Sequence, residues 1–135
     1  MNAAKFWVYA TGAFFVIYGA AFALFPVEMS VLVTDGSPTT PSGIIDLRAT
    51  YGGMSIAVGI TVLMLGADAE LVALGLLVVA IVLAAMAGAR TLGIVLDGTP
   101  NPVMYLYLVA EVMGSGFALY LRRDLRKDER DSGGS

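Results

Sequence analysis

Three ionisable side chains sit inside long apolar stretches of this chain: Arg48 in DLRATYGGMSIAVGI, Arg90 in AGARTLGIVLDG and Glu111 in YLVAEVMGSG. One carboxylate and two guanidinium groups can form ion pairs or hold a polar head group, and a buried glutamate can also carry a proton. Counted along ideal helices at 1.5 Å per residue, Arg48 lies roughly 6 Å, Arg90 roughly 9 Å and Glu111 roughly 12 Å from the outer ends of their stretches. An unpaired charge at such depths costs on the order of 2.5 to 3.5 kcal/mol, so pairing inside a helix bundle is the economical solution. Glu111 is expected to pair with Arg90, with Arg48, or with both.

Helical spacing places further polar groups beside them. Arg48, Tyr51, Gly52, Ser55 and Gly59 share one helix face, as do Arg90, Gly93 and Asp97, and again Tyr107, Glu111, Gly114 and Ser115. Arg48, Tyr51, Arg90, Asp97, Tyr107 and Glu111 are therefore the candidate ligand-binding or charge network. Gly52, Gly53, Gly93 and Gly98 are assigned to helix packing, because small residues let helix backbones approach in a bilayer. The first apolar stretch offers only Tyr9, Thr11, Gly12, Tyr18 and Gly19 and reads as a packing partner. A structural alternative makes Arg48, Arg90 and Glu111 a lock that fixes the bundle, with Asp46 and Asp97 at helix ends.

These groups must be positioned by membrane-spanning helices. The 135 residues suit one domain, and 58% of them are hydrophobic against 14% charged, far from soluble averages. Four spans are read, over about 6–25, 44–66, 71–96 and 103–121, with a charged tail over 122–135; each approaches the length that crosses a bilayer, roughly 20 residues. No period-two alternation suggests a transmembrane barrel. Pro26 is expected to stop the first span, and residues 26–43, with Pro38 and Pro41, to form a stiffened, non-helical return. Asp97, Gly98, Pro100, Asn101 and Pro102 mark a tight break. The expected fold is all-α, an integral membrane four-helix bundle.

Lys5 precedes the first span and Arg122, Arg123, Arg126, Lys127 and Arg130 follow the last, whereas loops 26–43 and 97–102 hold no lysine or arginine. The positive-inside rule then puts both termini in the cytoplasm. AFA at 21–23 would suit a signal-peptidase site, but the preceding apolar run is longer than a signal core and its basic flank is one lysine. With no cysteine or histidine, disulfides, the usual zinc sites and histidine-ligated haem are excluded, and no metal site is expected. A net charge of −3 and the lack of a basic, aromatic-interleaved patch argue against nucleic acid.

DLRATYGGMSIAVGI, then RTLGIVLDGTPNP, then the glutamate of YLVAEVMGSG resemble the pattern of a bacterial four-helix membrane family of unknown function within the DoxX-like superfamily. The resemblance covers about residues 6–121; its RATYGG and RxxGxxxDGxP elements are fairly specific together and weak singly. It implies a four-helix bundle in the bacterial inner membrane, with family-pattern positions at Arg48, Tyr51, Gly52, Gly53, Arg90, Gly93, Asp97, Gly98 and Glu111. It implies no activity. Relatives in the wider superfamily are associated with quinone-linked oxidation, respiratory assembly and lipid or sterol handling, and diverge too far for those roles to be carried over.

Three function classes follow, none of which settles whether the chain is an enzyme or carries a cofactor. The leading one is binding of an amphipathic small molecule, a quinone, isoprenoid or lipid, with its head at the arginines and Tyr51 and its tail in the bundle. A small proton-coupled transporter would titrate Glu111 and, lacking an inverted repeat, would need a homo-oligomer. An assembly or accessory subunit would use helix faces to meet a membrane-complex partner.

Overall fold

The computed structural model describes residues 3–133. Five helices follow one another: α1 (Ala3–Leu24), α2 (Pro26–Thr34), α3 (Pro41–Ala67), α4 (Val72–Asp97) and α5 (Pro102–Gly133). All but α2 are long and apolar enough to cross a membrane, α4 together with the 3-10 turn Ala69–Leu71 that leads into it. The protein is an all-α, four-helix bundle of the multi-pass membrane type.

Prolines and their neighbours set the helix boundaries. Phe25, ahead of Pro26, leaves the helical region at φ −127° and ψ 56°, which ends α1. Pro26, Pro41 and Pro102 are the first residues of α2, α3 and α5, a position where the missing N–H costs nothing and the fixed φ suits a helix. The expected non-helical return over 26–43 is thus corrected: Pro26 ends one helix and starts the next, and only residues 35–40 are irregular. The second span starts at Pro41 rather than Ile44, because the Thr40 hydroxyl caps it by accepting from the Gly43 amide at 3.2 Å. Asn101 caps α5 in the same way, accepting from the Met104 amide at 3.0 Å, and donates to the Val33 carbonyl at 3.1 Å, tying the α4–α5 connection to α2. Gly98, at φ +104°, takes the left-handed turn that a side chain would strain.

Two helix pairs build the bundle. α1 meets α3 along a glycine seam: a Cβ on Gly59 would stand 2.7 Å from the Gly12 carbonyl and the Val16 amide, and one on Gly19 2.6 Å from the Gly52 carbonyl. This is the small-residue contact by which helices associate where lipid removes the hydrophobic drive. α4 packs on α5 through Leu76, Val79, Ala80, Ala118 and Leu121, joined by Val8 of α1 and Val62 of α3. The Ser115 hydroxyl adds a buried bond to the Ala80 carbonyl at 2.9 Å. This core lies toward the end of the bundle that carries the α3–α4 turn. Ile17, Met64, Val95, Leu96 and Met113, each more than two-thirds exposed, point outward as a lipid-facing surface should.

Candidate functional site

The site begins with Glu111, which is 5% exposed on the inner face of α5. A carboxylate so placed needs donors, and α4 supplies them. Arg90 Nε donates to Oε2 at 3.0 Å and Nη2 donates to Oε1 at 2.6 Å, a two-bonded fork that fixes both side chains. The third guanidinium nitrogen donates to the Met104 thioether, and the guanidinium carbon lies 5.3 Å from the centre of the Tyr107 ring, within cation–π range. Arg90 is the partner of Glu111, and the ambiguity left by the sequence is resolved.

Arg48 goes elsewhere. Its Nη1 donates to the carbonyls of Ala23 and Leu24 at the C-terminus of α1, where the last carbonyls have no helical partners and the helix dipole favours a cation. Its segment is unusual too. Residues Arg48–Gly53, RATYGG, form a π-helical turn within α3, with the Met54 amide reaching back to the Ala49 carbonyl. Gly52 faces α1 so closely that a Cβ would stand 2.9 Å from the Ala23 amide. Arg48 and Gly52 therefore clamp the end of α1 from two adjacent turns. Tyr51 stacks on Phe22, with ring centres 5.1 Å apart, and Asp97 is exposed at the end of α4. A Cβ on Gly53 or Gly93 would meet no neighbouring helix and one on Gly98 nothing at all, so of the four glycines assigned to packing only Gly52 makes a close interhelical approach.

Beside the ion pair lies a cavity of about 270 Å³ between α1, α4 and α5, near the lower end of ligand clefts, which run from about 300 Å³ upward. Arg90, Glu111 and Tyr107 form its polar wall, and Phe14, Phe15, Leu83, Met86 and Gly114 its apolar one. Ala10, Phe14 and Ala110, all exposed, mark a mouth between α1 and α5 on the flank of the bundle, within the apolar spans. The cavity therefore opens sideways, where lipid would lie. No group of three or more His, Cys, Asp or Glu residues is arranged to hold a metal ion among the described residues.

The first helix has a larger part here than its sequence suggested. Trp7, Thr11, Phe14 and Tyr18 follow one face of α1 and line the cavity, with Tyr18 edge-on to Tyr107 at 6.4 Å between ring centres. The signal was present as four residues, three carrying polar atoms, at heptad-like spacing, in a helix that carries further aromatic rings at Phe6, Tyr9, Phe15 and Phe22. It was hidden because none of the four is charged and aromatic residues recur along the rest of the helix.

The fold and the site together define a multi-pass membrane protein built on four apolar helices, with an interior arginine–glutamate pair at the wall of a lateral cavity. Residues 3–122 match the model of the family described as domain of unknown function (DUF4345), and the chain belongs to that family. Neither the curated proteins nor the solved structures contain a match to it.

Proposed function

We propose that the protein binds an amphipathic small molecule that enters from the bilayer, with its polar head at Arg90, Glu111 and Tyr107 and its chain along Phe14, Leu83 and Met86. The observation that carries this reading is the lateral cavity itself: apolar over most of its wall, polar at the Arg90–Glu111 pair, and open where lipid lies. A purely structural lock needs no adjoining space, and at about 270 Å³ this one suits a slender lipid, isoprenoid or quinone-like molecule. Arg48 is left out of the head-group site, since α1 engages it.

The basic flanks support an orientation with both termini in the cytoplasm and the Arg90 end of the cavity toward the outer leaflet, in the reading that the membrane is a bacterial inner membrane. The resemblance of the RATYGG and RxxGxxxDGxP motifs to a DoxX-like pattern supports the proposal that the family belongs to that superfamily. Mass spectrometry of small molecules extracted from purified protein tests the reading. One amphiphile should accompany the wild type and be depleted at least about tenfold in a folded Arg90→Ala variant, as expected for loss of a charged hydrogen-bonding group. Equal recovery of all lipids from both proteins would remove the basis for a specific site.

A further inference from the structure

Two polar side chains in the cavity wall, Thr11 and Trp7, have no hydrogen-bond partner among the described residues. The Thr11 residue is 9% exposed, lines the cavity and makes no hydrogen bond among the described residues. The other intrahelical threonines behave differently: the hydroxyls of Thr34, Thr61 and Thr91 donate to carbonyls four residues back at 2.8, 2.9 and 2.8 Å, and that of Thr50 donates to the Asp46 carboxylate at 3.2 Å. One turn from Thr11, the buried Trp7 Nε1 is also unpartnered. A buried donor left unmade is costly, so the Trp7 N–H marks a place where something else supplies the bond, and Thr11, one turn away, adds a hydroxyl to the same cavity wall.

Register puts Thr11 opposite the ion pair. A Cβ on Gly114 would lie 3.5 Å from the Trp7 ring, so Gly114 and Trp7 share a level. Glu111 stands three residues from Gly114 along α5, and Thr11 four residues from Trp7 along the oppositely directed α1; each is thus about 5 Å further toward the Arg90 end. Thr11 on α1 and the Arg90–Glu111 pair on α4 and α5 therefore line the same level of the cavity.

The charge of that space is the second observation. Arg90 and Glu111 neutralise one another through two bonds, and the remaining polar groups in the wall, Thr11, Tyr18, Tyr107 and Trp7, are uncharged hydroxyls or an N–H. An anionic head group would meet Glu111 beside Arg90, and a cationic one Arg90 beside Glu111. The N–H donors of Arg90 outside the fork can serve a neutral oxygen without breaking it, whereas a full charge of either sign would stand beside its like in the pair.

We infer that the ligand's head group is an uncharged oxygen function, an alcohol or carbonyl, held between the Thr11 hydroxyl and the Arg90–Glu111 pair, and that Thr11 is the residue that selects it. This rests on the cavity being a binding site and goes further, by excluding carboxylates, phosphates and ammonium groups as the head. Trp7 is the only tryptophan of the chain and lies in the cavity wall, so its emission reports on occupancy.

The test uses the full chain in nanodiscs of zwitterionic lipid, titrated with three probes that share one brominated ten-carbon chain and end in an alcohol, a carboxylate or a trimethylammonium group. At equal membrane mole fraction the alcohol should quench Trp7 at concentrations about tenfold lower than either charged probe. Thr11→Val, which keeps the shape and removes the hydroxyl, should weaken only the alcohol, by roughly three- to tenfold, as loss of one neutral hydrogen bond requires. Glu111→Gln should leave Arg90 unopposed and move the carboxylate ahead of the alcohol. If that variant fails to fold, the wild-type ranking and Thr11→Val decide the matter. A wild type that prefers a charged probe, or a Thr11→Val protein with unchanged quenching, overturns the head-group assignment while leaving a binding cavity in place. Absence of quenching by all three probes overturns the binding reading itself.

Discussion

Replacing Glu111 by glutamine removes the charge that opposes Arg90 and leaves a guanidinium, with 17% of its side chain exposed, without a counter-ion. The converse change, Arg90→Gln, strands a carboxylate that is 6% exposed. Breaking a buried pair from one side costs about 3 to 5 kcal/mol in soluble proteins. In bilayers, single interhelical hydrogen bonds reach at most about 1.7 kcal/mol, because the unfolded chain also finds partners there. A charged fork with bonds of 2.6 and 3.0 Å should fall between these limits, at about 2 to 3 kcal/mol for each single variant. The double variant, Arg90→Gln with Glu111→Gln, strands no charge and should lose less than either single one. The coupling energy is then at least about 2 to 3 kcal/mol. Reversible unfolding in mixed micelles, followed by Trp7 emission, measures all four corners of the cycle. Arg48→Gln provides the control: combined with Glu111→Gln it should be additive within about 0.5 kcal/mol, since Arg48 bonds to α1. Additivity at Arg90 and Glu111 would refute the pairing on which the site is built.

Two further expectations follow from packing and flanking charge. Gly59→Ala should destabilise the bundle by about 1 to 3 kcal/mol, since the new Cβ would stand 2.7 Å from backbone atoms of α1, whereas Gly88→Ala, with nothing within 4 Å, should be neutral or slightly stabilising in the same unfolding assay. Single cysteines introduced at Ser37 and Ser132 should label from opposite faces of sealed vesicles, the former from outside and the latter only after permeabilisation; outside labelling of Ser132 would reverse the proposed orientation.

The sequence by itself determined four apolar spans, because crossing a bilayer is a property of length and composition that can be counted along one dimension. It also singled out Arg90 and Glu111, since a charge inside such a span must be met by another. Their pairing, and the separation of Arg48 from them, depended on the tertiary structure: both arginines lie at similar depth, and only the order and rotation of the helices decide which one reaches Glu111. With α4 packed on α5, Arg90 faces the carboxylate. With α3 packed on α1, Arg48 finds the terminal carbonyls of α1 first. Thr11 and Trp7 were invisible as site residues for a related reason. An uncharged polar group in a helix commonly closes a bond within its own turn, and its failure to do so at Thr11 shows only when the neighbouring helices are in place. Proline punctuation was legible but ambiguous, because Pro26 both ends one helix and opens another. The π-helical turn at RATYGG gave no periodic signal in the sequence, for it widens a single turn in a helix whose apolar pattern continues on either side.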